Sequence, residues 1–172
     1  MTKPTSTVCP IFQGFTYDEY ESVLSLLEQK SYRNRDVILH EGESERSLWI
    51  LVKGTCEVVK LNKGNSERLL ATLEAGAVFG EMSFFQAAPH SATVRASAEV
   101  EVMRLTREKY DQLYLFCPQA SYKIAICVVS LMAQRLRSMD DWVCNFIERA
   151  EGADHREEWH DFRSKLYADW QF

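Results

Sequence analysis

Short apolar segments divided by glycines occupy the middle of this chain and restrict the folds open to it. From about Tyr32 onward, β-branched and apolar runs alternate with turn residues, and the dividing glycines are Gly42, Gly54, Gly64 and Gly76. Closely spaced strands and turns of this kind are typical of all-β sandwiches and barrels. Strands are predicted near residues 36–40, 47–52, 55–61, 68–73, 92–96 and 99–105.

Helices are predicted on both sides of this β region. Thr16 begins a capping-box pattern, and the helix that it starts is expected to continue through Leu27. After the last predicted strand, Thr106 can cap a short helix, and Pro118 marks the first turn of a long one. The chain is therefore expected to be mainly β with flanking helices, as one domain with appendages.

Apolar residues of the long helix recur in alternating steps of four and three, which is a heptad pattern. The seam consists of Ala125, Val129, Met132, Leu136, Met139, Val143, Phe146 and Ala150. In the first turns other faces are apolar too, so burial against the β domain is expected there for Ile124, Ile126, Val128 and Leu131. Further along, the seam would lie in water unless a second helix covered it. The sequence therefore predicts a parallel homodimer through a helix over residues 118–151.

The closing segment, residues 152–172, is predicted to be a short amphipathic helix with large apolar side chains. Gly152 ends the long helix, and the apolar positions that follow at steps of three and four are Trp159, Phe162, Leu166 and Trp170. Such a surface is expected to fold back on the β domain, to pack on a neighbouring subunit or to bind a protein partner. Residues 1–14 are read as an N-terminal arm and residues 15–117 as the β domain with its N-terminal helix.

The most informative local pattern lies between residues 79 and 96. A Gly-Glu turn opens a single predicted helical turn, a loop ending in proline follows, and the chain then enters a strand. The residues are Phe79-Gly80-Glu81-Met82-Ser83 and, after the loop, Pro89-His90-Ser91-Ala92-Thr93-Val94-Arg95-Ala96. Because the first N–H groups of a helix lack internal partners, such a turn can hold an anion. Glu81 can accept a hydrogen bond from a sugar hydroxyl, and residue 90 would close the far side of the site.

This order of residues resembles the phosphate-binding cassette of the cyclic nucleotide-binding domain family, in particular its catabolite activator-like effector domains. The family pattern reads roughly Phe-Gly-Glu-Leu/Met-Ser/Ala, a spacer, then Pro-Arg-Ser/Thr-Ala-Thr-Val. Residues 36–58 also look like the family, with a strand, a Glu-Gly turn, a second strand and a further glycine turn, so the resemblance covers roughly residues 15–145. It implies a β-roll, that is a double-stranded jelly-roll, followed by a long C-terminal helix.

The resemblance also implies a pocket for a cyclic nucleotide, formed by Phe79, Gly80, Glu81, Met82, Ser83, His90 and Ser91. His90 departs from the pattern, because it stands where the family has an arginine that binds the cyclic phosphate. A neutral histidine offers one donor, whereas arginine offers a permanent charge and a bidentate fork. Loss of one charge-assisted hydrogen bond, worth about 1.5–3 kcal/mol, should weaken binding by roughly 10- to 150-fold. In a regular strand, Arg95 cannot replace it, because alternation places Arg95 on the opposite face.

Two functions of different classes fit these patterns. One is a regulatory or sensor module in which binding of a cyclic nucleotide shifts the long helix. The alternative is a degenerate fold of the same family that binds no ligand and serves as a dimeric protein-interaction module. At the level of single residues, Glu81 can equally be an exposed acid at a helix start, and His90 can be a loop histidine unrelated to any anion.

Composition and the remaining motifs disfavour several other classes. No apolar run approaches the roughly 20 residues needed to cross a bilayer, and no secretory signal is apparent, so a cytoplasmic protein without membrane contact is expected. The net charge of −5 and the scarcity of basic residues after Gly152 disfavour DNA binding. The five scattered cysteines predict no disulfide framework, and the spacing of His155 and His160 predicts no metal site. No catalytic pair has informative spacing, so neither enzymatic activity nor a cofactor is predicted beyond the nucleotide ligand.

Overall fold

The computed structural model describes residues 9–62, 64 and 66–149, with side chains as far as Asn145. The chain divides into two compact units, Met1–Val128 and Val129–Phe172. The predicted tail helix over residues 152–172 lies outside the described residues, as does Ala150, the last position of the seam. None of the helices in the described ranges combines the length and the apolar character that a membrane span requires.

Eight strands form the body of the first unit. In chain order they are β1 (Glu28–Tyr32), β2 (Val37–Leu39), β3 (Ser47–Lys53), β4 (Thr55–Leu61), β5 (Glu67–Glu74), β6 (Val78–Phe79), β7 (Thr93–Ala96) and β8 (Val100–Thr106). They make two four-stranded antiparallel sheets with the strand orders β1-β8-β3-β6 and β2-β7-β4-β5. This confirms the prediction of a β-roll.

All six predicted strands are present, and two further strands were missed. The missed strands are β1 and β6, which form the two edges of the first sheet. Strand β1 is polar and only half-buried on one face, and β6 has just two residues. Neither carries the run of β-branched residues by which the others were recognised.

One cluster of ten buried residues draws on strands of both sheets. These are Ile38, Leu39, Trp49, Leu51, Cys56, Phe79, Val94, Ala96, Val100 and Val102. The rings of Trp49 and Phe79 stack with their centroids 6.2 Å apart and connect β3 to β6. Strand β7 alternates, so that Val94 and Ala96 face inward while Arg95 does not. This packing fixes the end of β6, from which the cassette turn begins.

Within the described ranges, four α-helices accompany the sheets: α1 (Tyr17–Leu24), α2 (Glu81–Phe85), α3 (Arg107–Phe116) and α4 (Pro118–Arg149). A short 3-10 helix, Pro10–Phe12, precedes them. The capping box at the start of α1 is confirmed, with Thr16 N donating to Glu19 Oε2 at 2.7 Å and Glu19 N donating to Thr16 Oγ1 at 3.3 Å.

The predicted end of the first helix was wrong. Helix α1 ends at Leu24 rather than at Leu27. The backbone N–H of Leu26 donates to the carbonyl of Val23, which closes a tight turn, and β1 then begins at Glu28. The other two predicted starts are confirmed, since Thr106 Oγ1 accepts from Lys109 N at 3.3 Å and α4 begins at Pro118.

Burial of the first turns of α4 is only partly as predicted. Ile124 and Val128 are fully buried, but Ile126 is 47% exposed. On the same helix Lys123 Nζ binds the carbonyl oxygen of Gly14 at 2.7 Å and Glu19 Oε2 at 2.6 Å. The N-terminal segment is thus attached to α4 by an ion pair and a backbone contact.

In the second unit, the apolar seam of α4 lies largely in solvent. The exposed fractions are 61% for Val129, 41% for Met132, 46% for Leu136 and 57% for Met139, whereas Val143 is half-buried. Trp142, which the heptad pattern did not include, is also exposed. The side chain of Phe146 lies outside the described part of the structure.

Candidate ligand-binding site

The site begins at Gly80, between β6 and α2, where the backbone adopts a left-handed conformation with φ of +78°. A Cβ atom at this position would lie 2.6 Å from the carbonyl oxygen of Ser47 and 3.0 Å from Trp49 Cδ1. Both the torsion angle and the close approach to β3 therefore require glycine. Because Trp49 is held in the core, this contact fixes where α2 starts.

Helix α2 buries most of its side chains in the domain. Glu81, Ser83 and Phe79 of the preceding strand are buried, whereas Met82 is 53% exposed. Exposed Ser91 contacts Met82, with 3.8 Å between Oγ and Sδ. The seven predicted site residues thus lie on one short turn and the start of the segment that returns to it, although Met82 and Ser91 face the solvent. Glu81 is not the exposed acid of the alternative interpretation.

His90 is buried, with 5% of its surface exposed, and is held on three sides. Its Nδ1 atom lies 2.9 Å from Ser83 Oγ in a buried hydrogen bond. Its backbone N–H donates to the carbonyl of Glu43 at 2.8 Å, and its own carbonyl accepts from Gly42 N at 2.9 Å. The other ring nitrogen, Nε2, is buried and makes no hydrogen bond with any described residue. His90 therefore joins α2 to the loop between β2 and β3.

Burial lowers the pKa of His90 below its ordinary value of about 6.5, since the charged ring is poorly solvated. Glu45 and Glu43 act in the opposite direction, but more weakly. At neutral pH the ring is consequently uncharged. It therefore carries no permanent positive charge, unlike an arginine.

Two arginines at the β2–β3 loop, Arg46 and Arg104, bind protein groups. Arg46 Nη2 donates to the carbonyls of Phe84 and Phe85 at 3.1 and 3.3 Å and so caps the end of α2. Arg104 Nη2 forms an ion pair with Glu45 Oε1 at 2.6 Å. Both guanidinium groups serve the framework of the site.

Arg95 is directed away from the cassette. It pairs with Glu57 on β4, with Nη2 to Oε2 at 3.0 Å, and with Glu67 on β5, with Nη1 to Oε2 at 2.6 Å. It also lines an open pocket of about 570 Å³ together with residues of the β1–β2 turn. His90 itself precedes β7, so the argument from strand alternation does not apply to this pair; the two ion pairs of Arg95 account for its placement instead.

A chain of contacts that the sequence did not suggest leads from α2 to α4. The rings of Phe84 and Phe85 pack edge-on against Tyr110 of α3, with centroids 5.3 and 5.5 Å away. The Tyr110 hydroxyl donates to the carbonyl of Ser121, in the first turn of α4, at 2.9 Å. Aromatic residues at 84, 85 and 110 were visible in the sequence, but their contact depends on long-range packing.

The fold and this turn together define a β-roll with a cassette between its sixth and seventh strands. The family model of the cyclic nucleotide-binding domain matches residues 29–115. The chain belongs to this family.

Two curated relatives and one solved structure illustrate the similarity. The chain is 30% identical to the cyclic AMP receptor protein of Thermus thermophilus, over 76% of this chain and 59% of that protein. It is 25% identical to the cAMP-dependent protein kinase regulatory subunit of Blastocladiella emersonii, over 60% of this chain and 26% of that one. A crystal structure of a cyclic nucleotide-binding domain from Methylobacillus flagellatus superposes with a TM-score of 0.72 at 26% identity, over 76% and 74% of the two chains. The chain thus spans less than two thirds of the length of these curated relatives.

The requirement for glycine at position 80 can be tested with alanine. Gly42 is a matched control, because its φ is +84° but a Cβ atom there would meet nothing within 4 Å. Gly42→Ala should lower the free energy of unfolding by about 1–2 kcal/mol through the left-handed backbone alone. Gly80→Ala should cost about 1–3 kcal/mol more through overpacking against Ser47 and Trp49. Equal losses in urea denaturation would contradict the close approach.

The buried neutral state of His90 predicts that acid destabilises the fold. Its pKa is lower in the folded chain than in the unfolded one, so below about pH 6.5 the unfolded chain binds more protons. The free energy of unfolding should therefore fall as the pH drops through 6.5 toward the folded value. Glu19 and Glu28, whose pKa values are lowered, titrate below about 4.5, outside this window.

Urea denaturation at several pH values between about 7.5 and 5.5, on either side of the ordinary histidine value, checks this expectation. His90→Gln should flatten the decline, whereas His40→Gln, at an exposed histidine, should leave it in place. The same decline in the wild type and in His90→Gln would show that another group is responsible.

Proposed function

We propose that this chain is a regulatory module that senses a cyclic nucleotide through the turn around α2. The observation that carries the proposal is the buried group formed by Glu81, Ser83 and His90, presented by a β-roll of the cyclic nucleotide-binding family. The names of the relatives support the ligand class, since one is a cyclic AMP receptor and another a cAMP-dependent regulatory subunit. Cytoplasmic action without DNA contact is part of this proposal.

The proposed ligand contacts follow from the chemistry of the seven residues. The carboxylate of Glu81 accepts hydrogen bonds from ribose hydroxyls, and the backbone of the turn that starts at Gly80 approaches the phosphate closely. Ser83 orients His90, which faces the phosphate in place of an arginine. Phe79, Met82 and Ser91 shape the surroundings. With a neutral imidazole opposite the phosphate, binding near neutral pH is expected to be weak.

Coupling to the long helix is proposed to run through Tyr110. This residue touches the aromatic rings at the end of α2 and binds the carbonyl of Ser121 in α4. A ligand that shifts α2 would alter this packing and could favour one of two positions of α4. The size of that shift is limited by the difference in the ligand's affinity for the two arrangements. Residues 118–151 would then act as the output element and residues 15–117 as the receiver.

The output is proposed to be a parallel homodimer through Val129, Met132, Leu136, Met139, Val143 and Phe146. The first four of these residues are substantially exposed on a helix that continues to Arg149. Apolar side chains repeated at heptad spacing are stabilised when a second helix covers them. The aromatic tail of residues 152–172 is proposed as an additional surface for a protein partner.

A second candidate function is a dimeric interaction module that binds no nucleotide. The observation in its favour is that His90 is turned into the domain, bound to Ser83 and near Glu43 and Glu45. In this alternative the cassette is a structural remnant, and α4 alone carries the function.

Titration calorimetry with cyclic AMP and cyclic GMP at neutral pH separates the two functions. The wild type should bind weakly, and His90→Arg should bind about 10- to 150-fold more tightly, because it restores a charge-assisted contact. Adding Glu81→Gln to His90→Arg should weaken binding again by removing the ribose acceptor. Submicromolar binding by the wild type that is unchanged in His90→Ala would contradict this account of the pocket.

Light scattering at tens of micromolar protein tests the dimer. A dimer with a Kd near 1 μM, which corresponds to about −8 kcal/mol, would be largely formed at that concentration. Replacing Met139 and Val143 together with glutamate should give monomers, because it puts four charges into the shared seam. The matched control replaces the exposed residues Ser138 and Asn145 with glutamate, away from the seam, and should remain dimeric. A monomeric wild type would refute the proposed seam.

A further inference from the structure

The ring of His90 carries a polar atom whose partner is absent from the described residues. Buried side-chain nitrogen and oxygen atoms without a hydrogen bond are few in this part of the chain: Glu45 Oε1, Arg46 Nε, Trp49 Nε1 and His90 Nε2. Of these, Glu45 Oε1 already has the Arg104 guanidinium at 2.6 Å. His90 Nε2 is the one that belongs to the cassette. Leaving a buried polar atom unpaired costs free energy, so such an atom calls for an explanation.

The ring cannot easily turn to find another partner. Its backbone is bound on both sides to the β2–β3 loop, at Glu43 and Gly42, and its Nδ1 atom is taken by Ser83. Rotating the ring to point Nε2 at another group would break the hydrogen bond between Nδ1 and Ser83. The Ser83–His90 pair thus holds Nε2 in one direction, as an orienting group does for a functional histidine.

Protonation suits this arrangement. An imidazolium donates from both nitrogens, so it can keep Ser83 Oγ as acceptor on one side and offer Nε2–H to an anion on the other. Glu43 and Glu45 in the β2–β3 loop are the acids that act on the ring. Glu81 is buried on the same short helix as Ser83, and Arg46 in the loop is bound to the carbonyls of α2. In the free protein, burial outweighs the attraction of Glu45 and Glu43 and keeps the ring neutral. An anionic oxygen at Nε2 would reverse this balance.

We infer that Nε2 of His90 binds the phosphate of the ligand as a donor in the imidazolium form, so that capture of the cyclic nucleotide takes up one proton. This inference rests on the proposed function. It makes the module respond to ligand and acidity together. An arginine at the same position would give binding without this dependence, because its charge is permanent.

The expected signature is a linked change in affinity. Between the pKa of the free ring and that of the ligand-bound ring, the affinity for cyclic AMP should rise by up to about tenfold for each pH unit of acidification. In the same window, binding should take up close to one proton per ligand. A neutral nucleoside such as adenosine lacks the phosphate and should show neither effect.

Calorimetry with cyclic AMP tests this on the whole chain at about pH 7.5, 6.5 and 5.5, spanning the ordinary histidine value. Each pH uses two buffers of different ionisation enthalpy, so that proton uptake is measured directly. The wild type and His40→Gln should tighten toward low pH and take up a proton. His90→Gln should bind weakly with little pH dependence, and His90→Arg should bind tightly with little pH dependence. Circular dichroism at each pH confirms that all four proteins are folded.

The outcomes distinguish the inference from the function on which it rests. If His90→Arg binds cyclic AMP but the wild type binds without proton uptake, or with a pH dependence that His90→Gln retains, the inference is wrong and the function stands. If none of the proteins binds cyclic AMP or cyclic GMP at any pH, both are wrong. Adenosine binding as tight as that of cyclic AMP, at every pH, would also overturn the role of the phosphate contact.

Discussion

The hydrogen bond between Ser83 Oγ and His90 Nδ1 is the contact on which the site depends. It joins the helical turn after β6 to the segment that leads into β7, across seven residues of chain. Because His90 is also bound by its backbone to the β2–β3 loop, the bond fixes three segments relative to one another. The same bond leaves Nε2 as the free side of the ring. The position and the direction of the imidazole are therefore set together.

The surrounding framework explains why the turn can hold this position. Gly80 lets the chain pass within van der Waals distance of Ser47 and Trp49, and Arg46 binds the carbonyls at the other end of α2. Both contacts come from the start of β3 or the loop before it, which also supplies Glu43 and Glu45. One short stretch of chain thus positions the turn and sets its electrostatic surroundings. A substitution there would alter geometry and charge at once.

Features of the fold and of the site could be predicted where neighbouring residues determine them, and could not where contacts between distant residues do. Strands such as β3 and β4 were recognised because β-branched residues pack on a pleated surface, and Thr16 was recognised because capping is local. The polar edge strand β1 and the two-residue β6 owe their form to their neighbours, and the early end of α1 at Leu24 to the strand that follows. The short helical turn after Gly80 was predicted from its residue order. That His90 is buried and bound to Ser83 could not be predicted, because it requires the β2–β3 loop to close over a residue almost fifty positions away.

A histidine at position 90 gives the site a group whose charge depends on its surroundings. The β-roll, the turn at Gly80 and a buried acid at Glu81 are present beside it, whereas an arginine there would be a permanent cation. Tyr110 provides a route from this turn to α4 through aromatic packing and one hydrogen bond. A proton at His90 and a ligand beside it would act on the same turn, and hence on the same route.

A crystal structure of the wild-type protein grown with cyclic AMP at about pH 5.5, below the ordinary pKa of histidine, tests the central claim most directly. The account predicts a phosphate oxygen about 2.7–2.9 Å from His90 Nε2, with the Ser83 contact to Nδ1 retained and Glu81 on the ribose. A nucleotide whose phosphate is held elsewhere, with Nε2 still unpaired or His90 turned out of the site, would contradict it.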